Sequence, residues 1–217
     1  MVTTPIKPNI QKPVGEQRVI FHRLSWDDYL QIFNALPQRR NSRLTYDGNT
    51  LEITMPLEDH EFALRLIERF ILILVFEMGM KLKTMGSTTI NREKLQRGSE
   101  PDCAFYIQNQ PKVAGRNVDF ETDPPPDLIV EVDITHTDID KNRLYAAMGV
   151  PEFWRYNGEI WRIFQLENSE YQECEISPTF PQIKKNDLYN FLAEAQQDEI
   201  EAEHNFRSFI REQLAIT

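Results

Sequence analysis

Cysteine is scarce. The 217 residues hold only Cys103 and Cys174, far apart and without metal-ligand spacing, which argues against a disulfide framework and a cysteine-based zinc site. Long apolar runs are missing too: the longest without a charge, Phe70 to Phe76, is far too short to span a bilayer. The opening MVTTPIKPNIQKP is polar and proline-spaced rather than built like a secretory signal, so a cytoplasmic protein is expected. With no repeats and no Gly/Ser linker, a single domain over residues 18–217 is expected, preceded by a disordered arm over 1–17. Positive charge is in deficit, with 24 Lys and Arg against 34 Asp and Glu, net -10. That balance disfavours a surface that coats nucleic acid broadly, but leaves room for a local basic groove.

What remains is ordinary soluble composition, 41% hydrophobic and 27% charged, on a chain long enough to bury a sizeable core. Arg18 to Arg23 reads as an edge strand, and Ser25, with Asp28 three residues on, as the cap of a helix over Trp26 to Leu36. Arg43 to Tyr46 and Leu51 to Met55 flank Asp47-Gly48-Asn49, a strong hairpin signal. A helix over Glu58 to Met80 is apolar on most sides after Arg69, hence buried. Thr88 to Asn91 and Cys103 to Ile107 are short strands joined by the polar connection NREKLQRGSE, and Gln108 to Pro126 is a long Pro-rich loop. A helix over Asp138 to Met148 stops at Gly149 and Pro151. A meander over Glu152 to Ile176 then leads into an acidic helical C-terminus. There the stripe Phe206, Phe209, Ile210 and Leu214 calls for a covering surface, and a homodimer is expected from it, with packing on its own core as the alternative.

The chemistry concentrates around Asp127 to Ile134. Alternation with period two puts Leu128, Val130, Val132 and Ile134 on one face and Asp127, Ile129, Glu131 and Asp133 on the other. Glu131 and Asp133 thus point the same way on a strand of otherwise buried composition, where carboxylates are costly unless paired or bound to a cation. A charged rim at the strand end is the plainer reading. Glu100-Pro101-Asp102 opens a second strand, and Lys141 lies in the following helix. Carboxylates on adjacent strands can hold Mg²⁺, which prefers oxygen ligands and keeps several waters. A nearby ammonium can orient an attacking water while the metal polarises a phosphodiester.

At these residues the chain resembles a known family, the Uma-two type restriction endonucleases of the PD-(D/E)xK superfamily. The resemblance is carried by RLTYDGNTLEI, MPLEDHE, EPDCAFYI, PPPDLIVEVDIT and LYAAMGVPEFWRY, and runs from about Arg18 to about Phe191. It implies a mixed α/β fold, a restriction endonuclease-like central sheet flanked by helices. It maps the first acid onto Asp102 and the second onto Glu131. Where the superfamily pattern has lysine two residues after the second acid, this chain has Asp133; the resemblance implies that Lys141 supplies the ammonium instead, with Asp133 a third metal ligand or a helper. The family's helix acid would be Glu61 or Glu58, beside His60, although a helix start favours Glu on dipole grounds regardless.

Other residues carry plainer readings. Tyr145, Trp154 and Trp161 are packing aromatics, Cys103 is a core residue, and His136 is a surface histidine, or else a group that polarises a leaving oxygen. Arg92, Lys94 and Arg97 either contact phosphate or solvate a loop. The leading expectation is a Mg²⁺-dependent (or Mn²⁺-dependent) endonuclease acting on DNA. The catalytic residues would be Asp102, Glu131 and Lys141, and the metal ligands Asp102, Glu131 and Asp133. The alternatives are a non-catalytic protein of the same fold that binds nucleic acid or a protein partner, and a purely structural acidic cluster.

Overall fold

Two hairpins and one crossover place the acids. In the computed structural model, which describes residues 16–216, the first hairpin joins β2 (Arg43–Asp47) to β3 (Thr50–Pro56) through Gly48 at φ +67, a conformation glycine adopts without strain. β3 also pairs antiparallel with β1 (Glu16–His22) over seven residue pairs from Glu16↔Pro56 to His22↔Thr50. The strand therefore begins inside the stretch expected to be an arm; Glu16 and Gln17 belong to it, and the rest of that expected arm lies outside the described residues. Ser25 caps α1 (Trp26–Ala35) in a reciprocal box with Asp28, as its spacing predicts. α1 lays Trp26 and Tyr29 on Leu44, Tyr46 and Leu51 to form a small core of its own.

The polar connection NREKLQRGSE departs from expectation. It holds the end of β5 (Ile90–Arg92), a short 3-10 turn and β6 (Arg97–Ser99), and β6 pairs with both β5 and β2. The first sheet is thus β1-β3-β2-β6-β5, antiparallel throughout. The second is mixed. It contains β4 (Lys83–Thr84), β7 (Cys103–Tyr106), β8 (Leu128–Val132), β9 (Glu152–Tyr156), β10 (Trp161–Glu167) and β11 (Glu170–Cys174), in the order β11-β10-β9-β8-β7-β4. β8 and β9 are parallel, and the helix α4 (Lys141–Met148), shorter at its start than the sequence suggests, makes the crossover between them. A short helix α3 (Gln110–Val113) interrupts the long loop.

β8 is buried along its whole length, so its alternation separates two cores rather than core from solvent. Leu128, Val130 and Val132 face α2 (Glu58–Glu77), α5 (Lys185–Ala195) and α6 (Glu199–Ile216). Ile129 faces Leu144, Tyr145 and Met148 of α4, and Glu131 shares that side. The C-terminal stripe is covered within the chain: Phe206 and Ile210 are buried, Phe209 and Leu214 pack beside them, and Phe206 stacks on Phe70 with ring centres 4.4 Å apart. A homodimer no longer follows from that stripe. Among the described residues no helix is long and apolar enough to cross a membrane.

Candidate active site

Pro101 steers the chain into β7, and the antiparallel register Cys103↔Val130, continued by one step, sets Asp102 beside Glu131. Asp102, Glu131, Asp133 and Lys141 are all buried. Asp102, Glu131 and Lys141 line one small cavity of about 10 Å³, the size of a single water, together with Glu16, Arg18, Arg43 and His60. Four of the residues singled out from the sequence, Asp102, Glu131, Lys141 and His60, therefore meet. Asp133 adjoins them through Lys141.

Each carboxylate has its own set of donors. Asp102 Oδ2 accepts from the main-chain NH of Val132 at 2.7 Å and lies 3.0 Å from His60 Nε2, while Oδ1 is 2.6 Å from Arg43 Nη1. Lys141 Nζ donates to Glu131 Oε2 at 2.7 Å and to Asp133 Oδ1 at 2.6 Å. Tyr145 donates its hydroxyl proton to the other oxygen of Glu131, with Ser99 Oγ 2.8 Å from the same hydroxyl. Asp133 Oδ2 accepts from Arg155 Nε at 2.9 Å. From the first sheet, Arg18 pairs with Glu16 and Glu52 and lies 3.8 Å from Asp133.

These partners divide the charge unequally. Burial opposes ionisation of Asp102, but the His60 hydrogen bond and the charges of His60, Arg43 and Lys141 outweigh it and hold the group below the usual carboxylate range. Among the described residues, only Lys141 pairs with Glu131 as a cation. Burial therefore dominates, helped by Asp102 and Asp133, and pushes Glu131 up to about 7. An upward shift here is what the adjacent Asp133 predicts, but burial and then Asp102 contribute more. Burial also works against the Lys141 ammonium, yet Asp133, Glu131 and Asp102 together raise it above its ordinary value, so it stays charged. His60 behaves likewise: burial lowers it, while Asp102 and Glu16 raise it by more.

The remaining sequence candidates scatter. Glu61 lies outside this cavity, half-exposed between Arg43 and Arg65, and Glu58 is exposed. His136 is on the surface, 3.6 Å from Asp138, and Arg97 is taken up by Asp47 at 2.8 Å. Tyr145 packs, as read from the sequence, but also holds Glu131. Glu16, Arg18, Arg43 and Arg155 carried no sequence signal; only the pairing of distant strands brings them in.

The donor set fits a hard divalent cation in kind, since two carboxylates from neighbouring strands face one cavity. Among the described residues no three His, Cys, Asp or Glu side chains converge as a cage. Asp102 and Glu131 are the residues that would hold a cation, and the cavity, at the size of one water, would have to widen to admit the further waters that Mg²⁺ keeps.

A family model described as "Putative restriction endonuclease" matches residues 26–195. A solved structure from Anabaena variabilis ATCC 29413, described as a "putative nuclease belonging to DUF820", is similar with a TM-score of 0.54 and 15% sequence identity, over 78% of this chain and 99% of that one. At that identity the likeness is one of fold. A comparison with curated proteins finds no match.

Proposed function

The chain belongs to this restriction endonuclease family and has a restriction endonuclease-like fold, and from that premise we propose that it is a Mg²⁺-dependent endonuclease that hydrolyses phosphodiester bonds in DNA. The observation that carries the reading is the single cavity lined by Asp102, Glu131 and Lys141. Asp102 and Glu131 would hold the cation, with Mn²⁺ an effective substitute. A cation held there would supply Lewis-acid polarisation of the phosphodiester and offset the charge that develops on it.

The protein's own groups do the rest. Lys141, held in its charged form, donates to the attacking water and orients it rather than taking its proton. Asp133 positions that ammonium and is itself fixed by Arg155. His60 and the Val132 NH fix Asp102, and Tyr145 fixes Glu131. Such preset partners leave little reorganisation for the reaction itself.

A second reading, a non-catalytic binding protein of the same fold, has one observation in its favour: each oxygen of Asp102 and Glu131 already faces a donor from the protein. Calorimetric titration separates the two. The nuclease reading expects Mg²⁺ and Mn²⁺ to bind, to raise the melting temperature because only the folded state binds them, and to lose both effects in Asp102→Asn. No heat of binding and unchanged melting in millimolar Mn²⁺ would favour the second reading.

A further inference from the structure

A groove of about 670 Å³ adjoins the acid cavity, lined by Arg40, Arg43, Arg65 and Glu61 with the hydroxyls of Ser42 and Thr88 among its walls. Arg43 lines both spaces. Three guanidiniums face the groove against the carboxylates of Glu61 and Glu100, and Arg40 pairs with Glu100 at 2.5 Å; on a chain of net charge -10 the lining keeps a small positive excess that favours a polyanion.

The Glu61 carboxylate bridges two of them. Its Oε1 accepts from Arg43 Nη2 at 3.1 Å and its Oε2 from Arg65 Nη2 at 3.3 Å. Oε1 is also 3.8 Å from His60 Nδ1. The other arm of the Arg43 guanidinium, Nη1, reaches Asp102. Two oxygens of one anion shared between two guanidinium forks is the arrangement a backbone phosphate would accept. Glu61 is half-exposed and Arg65 more so, so the Arg65 arm of the pairing is weak and readily exchanged; Arg43 is only 15% exposed, and Arg65 also pairs with Glu68 at 2.8 Å.

Resting on the nuclease reading for the choice of ligand, we infer that Glu61 is an internal stand-in for phosphate: it occupies Arg43 and Arg65 in the free protein, and a DNA backbone phosphate entering the groove displaces it. This gives Glu61 a role other than the helix acid of a metal site. It lies on the groove side of Arg43, while the carboxylates suited to a cation lie on the other. A phosphate seated there is one guanidinium away from Asp102.

The test is fluorescence anisotropy with a short labelled DNA duplex in EDTA, where no cleavage occurs, alongside Mn²⁺ calorimetry without DNA. Glu61→Gln should bind the duplex about two- to fivefold more tightly, the strength of the exposed pairing it removes. Glu170→Gln, the same charge change on β11, should not. Arg65→Ala should bind more weakly and lower the slope of log affinity against log salt by about 1, the loss of one phosphate contact. Glu61→Gln should leave Mn²⁺ affinity unchanged. Equal or weaker binding by Glu61→Gln, equal tightening by Glu170→Gln, an unaltered salt slope in Arg65→Ala, loss of Mn²⁺ affinity in Glu61→Gln, or no binding by the parent would each overturn the inference. Its fate is separable from that of the nuclease reading. A parent that nicks DNA while Glu61→Gln binds unchanged refutes only the stand-in; a parent that never nicks while Glu61→Gln tightens refutes only catalysis.

Discussion

Of the three carboxylates of Asp102, Glu131 and Asp133, that of Glu131 has the fewest cationic partners, and its titration follows from that. Burial moves it from an ordinary 4.5 to about 7. Below about pH 4.5 the group is protonated in both folded and unfolded chains and contributes nothing. Between about 4.5 and 7 the unfolded chain has shed a proton that the folded chain keeps, so stability falls as pH rises through this window. Asp102 acts in the opposite sense at lower pH, because its depressed value contributes stability that is lost on acidification. His60, raised from 6.5, contributes stability that is lost as pH rises through its folded value. Comparing the parent with Glu131→Gln isolates Glu131: in urea denaturation the stability difference should grow in favour of Gln from pH 5 to pH 8. Parallel stability curves would place the proton elsewhere. Asp102 and Glu131 were legible in the sequence because residue type and local strand pattern mark them, and Lys141 because the family resemblance implies it. Arg43 was not, since an arginine early in a hairpin strand says nothing about which carboxylate it will meet across two sheets. Glu16 hid in a polar, Pro-spaced stretch whose composition reads as disorder.

At the scale of elements, the signals that worked were local and redundant. The Ser25–Asp28 box, the Asp47-Gly48-Asn49 turn and the long apolar face of α2 each specify an element without help from the rest of the chain. β6 failed that test. A strand over Thr88 to Asn91 was expected and β5 overlaps it, but β6 is three residues long, too short and polar to establish a period, and pairing with β2 and β5 rather than its own pattern makes it a strand. One residue there was readable only from the structure. A Cβ on Gly98 would lie 2.5 Å from Asn91 Oδ1 and 2.6 Å from Tyr29 Oη, two atoms that hydrogen-bond to each other at 2.8 Å. Gly98→Ala should therefore break that bond, part α1 from the sheet and destabilise the fold by about 1–3 kcal/mol, as overpacking in a filled interior does. Thermal melting equal to the parent would show that the strand can shift aside freely.

Over the whole molecule, the two sheets divide the labour. The second sheet presents the acids and Lys141 between two apolar cores, and the first sheet closes over them with Arg18 and Arg43. The mixed sheet was expected, whereas the antiparallel first sheet escapes a reading by period because its closure depends on strands distant in the chain. On the proposed reading, the net charge of -10 and the groove of guanidiniums beside the acids fit together: DNA would be repelled by most of the surface and would enter at that groove. Removing Lys141 is a poor first test of this chemistry, since it leaves two buried carboxylates without their shared ammonium and costs about 3–5 kcal/mol of stability. Asp102→Asn keeps the shape and the acceptor for the Val132 NH while removing the charge that a cation needs. The decisive measurement is nicking of supercoiled plasmid in Mg²⁺ or Mn²⁺ by the parent and by Asp102→Asn, each shown folded by circular dichroism. The parent should convert supercoiled to open-circular DNA only when the cation is present, and Asp102→Asn should not. A parent that leaves the plasmid intact with both metals, or an Asp102→Asn that nicks as fast as the parent, would contradict a metal-dependent nuclease built on Asp102 and Glu131.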